Sequence, residues 1–263
     1  MAFFDCHFFS DVLRLTVSAH VLVPQAAANQ IGMTGGGYRE RYPTLYLLHG
    51  LSDDHTIWMR RTSIERYAAA KNLAVVMPAV GRSFYQDMAS GPAYWTFLSE
   101  ELPLLMRDFF PLSAAREETF AAGLSMGGYG ALRLALAKPD CFGAAASLSG
   151  ALDVVRACRN AGRPGSRIDG TEIASIFGRD LQPEGTSADL WHLADQVTKQ
   201  GGLRPRLLLA CGTEDGLLGE NRRFHDHLDS SGYEHDYAEG QGDHEWGYWD
   251  AQIQRVIEWL PLV

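Results

Sequence analysis

The chain reads as an α/β protein with a mostly parallel central sheet and helices on both faces, and three observations predict it. Short, continuous apolar runs recur at residues 45–48, 73–77, 144–148 and 207–211, and such runs suit strands covered on both faces. Stretches with helical spacing separate them, the alternation that builds doubly covered sheets. Finally, Gly123-Leu124-Ser125-Met126-Gly127 lies between an apolar run and a helix-forming stretch, the context of a sharp strand-to-helix turn.

Taken in order, the elements support this class. Between residues 13 and 23 the apolar side chains fall mainly on odd positions (Leu13, Leu15, Val17, Ala19, Val21, Val23), the period of a strand with one buried face, so the opening strand is expected to be antiparallel. Helices are predicted over 57–71, 96–110, 126–138 (ended by Pro139) and 219–231 (ended by Gly232). Pro103 predicts a kink or restart in the second of these. A strand is expected over 233–237, and Trp249, Ile253, Val256, Ile257 and Leu260 recur at the spacing of a terminal amphipathic helix. From 151 to 203 the rhythm breaks at Pro164-Gly165, Asp169-Gly170, Gly178 and Pro183-Glu184-Gly185. That stretch reads as a cap inserted at the active face and forming one wall of the substrate pocket. No linker or repeat divides the chain, so residues 1–263 are expected to form one domain.

With 23 basic and 32 acidic side chains, the net charge of −9 disfavours partners bound through phosphates or an anionic membrane surface. Neither nucleic acid nor membrane is an expected partner. Met1-Ala2-Phe3-Phe4-Asp5 lacks the basic start and apolar core of a secretory signal, and a soluble, cytoplasmic protein is expected. Cys6, Cys141, Cys158 and Cys211 form no C-x-x-C pair, which suggests buried thiols rather than a zinc site or disulfides.

A serine hydroxyl becomes a nucleophile only when a histidine takes its proton and a carboxylate holds that histidine in the right tautomer. On a sheet of this type the order is Ser, then Asp or Glu, then His, each on a loop after a strand. Downstream of Ser125, the loop Gly212-Thr213-Glu214-Asp215-Gly216 makes Asp215 the candidate acid, with Glu214 as the adjacent alternative. The loop around Gly242-Asp243-His244-Glu245 makes His244 the candidate base.

An oxyanion intermediate needs two backbone N–H donors. The Met126 amide, just after the serine, is one candidate, and the Leu51 amide, in the loop His49-Gly50-Leu51-Ser52, is the other. His49 precedes Ser125 and is expected to brace that loop. Trp246, beside His244, and Gly50 are the candidate substrate-contact positions. Asp53-Asp54-His55 carries ligand-type atoms, but sequence neighbours point in different directions and no H-x-x-x-H spacing supports a metal. No metal is expected.

With His49-Gly50-Leu51-Ser52, the elbow through Gly128-Tyr129-Gly130, Cys211-Gly212-Thr213-Glu214-Asp215 and Gly242-Asp243-His244-Glu245-Trp246 in order, the chain resembles the esterase D-like α/β-hydrolases, which include S-formylglutathione hydrolases. Within them it is most similar to tributyrin esterases. The resemblance implies an α/β-hydrolase fold and a cofactor-free serine carboxylesterase for short acyl esters, with Ser125, Asp215 and His244 as triad and Leu51 and Met126 as oxyanion donors. It also implies a small-molecule ester substrate and association into a homo-oligomer. Acetyl-sugar and feruloyl esterases and mycolyl transferases share the architecture. Leu124 and Tyr129 stand where the formylglutathione branch carries histidines.

Overall fold

A computed structural model describes residues 1–27, 29, 31, 37–163 and 168–262. Eight strands, β1 Ala2–Ser10, β2 Leu15–Val23, β3 Thr44–Leu48, β4 Ala74–Pro78, β5 Thr119–Leu124, β6 Ala144–Leu148, β7 Arg206–Gly212 and β8 Asp236–Gly240, form one sheet ordered β1-β2-β4-β3-β5-β6-β7-β8. The contacts β1–β2 and β2–β4 are antiparallel, and every later pair is parallel. The mostly parallel α/β sheet expected from the apolar runs is therefore present.

Strand periodicity divides the core between the two faces. On β3, Tyr46 and Leu48 enter one core with Val76, Ala121 and Ala145. Leu45 and Leu47 enter the other with Val75, Phe120 and Ala122. β1 is an addition to the expected elements. It is an edge strand whose residues are mostly exposed or half-buried, so it lacks the apolar alternation that revealed its partner β2.

Two expected helices are interrupted. The stretch 57–71 divides into α1 Ile57–Arg61 and α2 Ile64–Ala70, because the Thr62 hydroxyl donates to the Trp58 carbonyl (2.6 Å) and accepts from the Ile64 N–H (3.2 Å), competing with helical bonding. The second runs from α3 Tyr94–Thr96 through a π-turn, Phe97–Glu101, into α4 Leu102–Phe109. Pro103 stands at the start of α4, where a missing N–H is tolerated and the winding changes.

α5 Met126–Ala137 follows the elbow, and α6 Val154–Arg159, α7 Gly170–Phe177 and α8 Leu190–Gln200 follow β6. Here the stretch 151–203 divides in two. α6 and α7 lie at the cleft described below. α8 packs on α5 and on α9 Leu218–Ser231, with Trp191 edge-on to Phe224 at 4.8 Å. α8 is thus the crossover helix that a parallel β6–β7 pair requires, and the loop-rich sequence before it disguised that role. Pro164-Gly165 lies outside the described residues. α10 Trp246–Trp259 closes the chain against α2. No described helix is long and apolar enough to cross a membrane.

Candidate active site

β5 ends in a turn centred on Ser125, whose backbone sits at φ 53°, ψ −119°. A non-glycine residue holds such a conformation only where its surroundings enforce it. Here the Ser125 N–H donates to the Leu148 carbonyl at the end of β6 (2.9 Å). A Cβ on Gly123 would lie 2.4 Å from the Gly127 carbonyl, and one on Gly127 would lie 2.4 Å from the Leu48 carbonyl oxygen. The two glycines are thus required by close backbone approach, which lets α5 start directly over β3 and β5.

Two neighbouring loops bring the other groups to Ser125. The loop after β7 is stitched to the loop after β8 by Thr213 N–H to Gly240 O (2.9 Å), Glu214 N–H to Gly242 O (3.1 Å) and Gly242 N–H to the Glu214 carboxylate (2.7 Å). This stitching sets His244 beside Asp215. His244 Nδ1 lies 2.9 Å from Asp215 Oδ2, and His244 Nε2 lies 3.1 Å from Ser125 Oγ. An ionised carboxylate can only accept, so Asp215 fixes the imidazole proton on Nδ1 and leaves Nε2 to accept from the serine hydroxyl. The Trp249 ring stands edge-on to the imidazole at 4.8 Å.

The Asp215 side chain is fully buried. Burial alone would raise its pKa, but the bonds from His244 and from the Leu217 N–H (2.8 Å) outweigh it and hold the carboxyl below its ordinary range. Glu214, the alternative acid, bonds the Gly242 N–H and the Thr213 hydroxyl (2.8 Å), which lower its pKa. Glu214 therefore clamps the loops and does not touch the imidazole.

The Leu51 and Met126 amides have no protein acceptor among the described residues, and both residues line the same cleft as Ser125. His49 is buried away from the imidazole of the site. Its Nδ1 donates to the Gly50 carbonyl (2.7 Å), and its Nε2 accepts from the Val80 N–H (3.1 Å). Burial pulls its pKa down to about 4, so the ring is a neutral brace for the loop carrying Gly50 and Leu51. Of the two expected substrate-contact positions, Trp246 is half-buried and packs edge-on against Trp58 (5.3 Å) and Trp249 (5.2 Å), at the margin of the core on the other face of the sheet. It does not line the cleft. Gly50 lies under the elbow, where an added Cβ would meet the Leu124 side chain at 2.7 Å and stand 3.8 Å from Ser125 Cβ. It too is absent from the cleft lining.

The cleft holds about 500 Å³, in the range of small-ligand sites. Leu51, Phe84, Met126, Val154, Ile173 and Leu217 form its apolar lining, and Asp153, Arg156, Asn160, Arg163 and Glu220 its polar part. Nothing in the sequence marks Phe84 or Glu220 as cleft residues. Phe84 sits at φ 50° and its neighbour Tyr85 at φ 54°, in a loop held by Tyr85 O–H to the His49 carbonyl (2.8 Å) and Arg133 to the Tyr85 carbonyl (2.6 Å). No periodicity marks such a loop. Glu220 looks like any polar helix residue, yet it is half-buried and accepts from the Leu152 N–H (2.8 Å), and burial pushes its pKa up to about 7. Tyr129, one of the departures from the formylglutathione pattern, donates to the Ala188 carbonyl (2.7 Å) and accepts from Gln86 (2.7 Å). It anchors the segment that leads into α8.

A hydroxyl, imidazole and carboxylate in one hydrogen-bonded chain, beside two unengaged amides on an α/β-hydrolase sheet, define a serine hydrolase of the esterase class. The chain belongs to the family described as "Putative esterase", whose sequence profile matches residues 37–260. It is 30% identical to an acetyl esterase of Caldicellulosiruptor saccharolyticus over 100% of this chain and 99% of that one. Among solved structures it is similar to FphF, a fluorophosphonate-binding serine hydrolase of Staphylococcus aureus, with TM-score 0.88 and 33% identity over 98% of both chains. It is also similar to an S-formylglutathione hydrolase, FrmB, of the same organism, with TM-score 0.84 and 33% identity over 98% of both chains.

Proposed function

We propose that this chain hydrolyses short-chain carboxylic esters through an acyl-enzyme on Ser125. His244 takes the serine proton as Oγ attacks the ester carbonyl, and the Leu51 and Met126 amides hold the oxyanion. His244 then returns the proton to the departing alcohol. Water, deprotonated by the same imidazole, releases the acid. Asp215 keeps Nε2 free to accept and stabilises the imidazolium that forms in each half-reaction. The observation that carries the reading is the bonded chain of Asp215, His244 and Ser125, with Ser125 opening onto the cleft. A largely apolar cleft of about 500 Å³ suits a small acyl group.

The test is Ser125→Ala assayed with p-nitrophenyl acetate, together with fluorophosphonate labelling of the parent. Turnover should fall by at least about 10³-fold, with label on Ser125 only. A variant as fast as the parent overturns the reading.

A second reading, hydrolysis of a thioester such as S-formylglutathione, draws support from the similarity to FrmB. A panel of acetyl to octanoyl esters, methyl ferulate, acetylated xylan and S-formylglutathione separates these substrates. Product analysis with added sugar or thiol acceptors distinguishes hydrolysis from acyl transfer.

A further inference from the structure

Far along the sheet from the β7 and β8 loops, three side chains from three segments meet at the outer antiparallel edge. Asp5 on β1 pairs in register with His20 on β2, which places both side chains on one face. His55 arrives from the loop after β3, and its ring lies edge-on to His20 at 4.8 Å. Asp5 Oδ1 is 3.6 Å from His20 Nε2 and 3.9 Å from His55 Nε2. One donor atom from each of the three residues lies within 4.8 Å of the other two. His7, two residues along β1, stands with Nε2 at 3.5 Å from the same carboxylate oxygen. Its Nδ1 is held by the Ser18 hydroxyl at 3.0 Å.

We propose that Asp5, His20 and His55 form a binding site for a divalent transition-metal ion of the zinc type. Two imidazoles and a carboxylate are the donor set such ions prefer. Ligand atoms around a tetrahedral zinc stand about 3.4 Å apart, given bonds of about 2.0–2.1 Å. The observed separations from Asp5 therefore close with small side-chain rotations. Among the described residues no hydrogen bond engages Nε2 of either His20 or His55, the nitrogens that face Asp5, and Nδ1 of both rings is buried without a hydrogen-bond partner. His20 is buried, so an ion there would be shielded from bulk water on that side.

The proposal departs from the expectation that the chain binds no metal, which weighed His55 only beside Asp53 and Asp54; Asp54 accepts from the Thr56 N–H (2.9 Å). The partners of His55 come instead from strands distant in sequence. The other grouping, His225, Asp229 and His235, does not converge in this way. Asp229 approaches Nε2 of His225 and Nδ1 of His235, whereas those two rings bond each other through their opposite nitrogens. An ion at the first site would tie the β1–β2 edge to the loop that also carries Gly50 and Leu51.

The experiment is calorimetric titration of tag-free protein with zinc chloride, paired with thermal unfolding with and without the metal. One equivalent of zinc should bind per chain and raise the Tm. His20→Asn and His55→Asn should each weaken binding by more than about 100-fold, beyond the loss typical of outer-shell partners. Asp5 is half exposed, so Asp5→Asn keeps the fold even where a variant at buried His20 does not, and it should abolish the zinc-dependent rise in Tm. Absence of saturable binding overturns the proposal. So does binding that survives Asp5→Asn and His55→Asn, or that is lost on His235→Asn instead. None of these readouts depends on ester hydrolysis.

Discussion

The sheet rim that carries Ser125, Asp215 and His244 and the helical wall formed by α6 and α7 border the same cleft but are held by different forces. At the rim every position follows from strand register. The elbow is locked by carbonyl contacts under Gly123 and Gly127, and the loops after β7 and β8 share three hydrogen bonds. In the wall, each helix is capped by its own aspartate, Asp153 or Asp169. Ion pairs such as Arg223–Asp153 and Arg82–Glu172 join it to its surroundings. Exposed pairs of this kind contribute about 0–1 kcal/mol each. The wall is anchored as well, since Val154, Cys158, Ile173 and Ile176 are buried in the main core, so what can change at little cost in stability is its exposed, cleft-facing positions.

The largest effect that could break this contrast is at the rim. Asp215→Asn keeps the shape of the side chain but lets an amide donate to His244 Nδ1, favouring the wrong tautomer. Turnover of p-nitrophenyl acetate should fall by about 10³–10⁴-fold. Glu214→Gln, one residue away, keeps a carbonyl to accept from the Gly242 N–H and should change turnover by less than about tenfold. Equal losses in steady-state assays of the two variants would mean that the rim works as a diffuse charge cluster rather than through one bonded chain.

The same contrast explains what could be read before the fold was seen. Ser125, Asp215 and His244 stand out because a strand, a glycine-rich loop and a fixed chain order leave few alternatives. The strands before Ser125 and Asp215 show plain apolar runs. By contrast, β8 before His244 is Asp236–Gly240, shifted three residues from the expected 233–237, because its polar, half-exposed side chains mark no clear boundary. β1 and the role of α8 escaped notice for opposite reasons. β1 is too exposed to show a pattern, and α8 follows a loop-rich stretch that resembled more cap. Trp246 adjoins His244 in sequence, which alone suggests a place in the pocket. Entry into α10, however, turns it to the opposite face of the sheet, where it packs against Trp58 and Trp249. Phe84 and Glu220 reach the cleft through a positive-φ loop and a helix start, and neither leaves a periodic trace.

Glu220 joins the two regions, since it begins a rim helix and accepts from Leu152 at the root of the wall. Burial raises its pKa from 4.5 to about 7 in the folded protein. Between those values the folded chain binds more protons than the unfolded one, so the carboxyl subtracts from stability as pH rises from 4.5 through 7. Above that window the deficit reaches up to about 3 kcal/mol. Glu220→Gln retains an acceptor for Leu152 and cannot ionise. Urea unfolding should show it more stable than the parent at pH 8, with most of that advantage gone at pH 5. A difference that is the same at both pH values would place the charged carboxylate comfortably within the fold.

The smallest expected effect lies in the wall itself. Arg156 and Arg163 line the cleft on and just beyond α6, and both are exposed. Arg163 bonds the Asn160 side-chain oxygen (3.1 Å), and neither guanidinium has a carboxylate within ion-pair distance among the described residues. In a chain of net charge −9 they offer local positive potential to an ester bearing a carboxylate. Exposed charges act through high-dielectric solvent, so their benefit is about 1 kcal/mol and falls with salt. Replacing both by Ala should lower kcat/KM for a hemisuccinate ester by about three- to tenfold at low ionic strength. The acetate ester of the same alcohol should be unaffected, and kcat should change little in either case, because the charges bind ground and transition states alike. A loss that falls equally on both esters would mean that the arginines shape the wall rather than read charge. A loss in kcat would place them in the chemistry and erase the distinction between rim and wall.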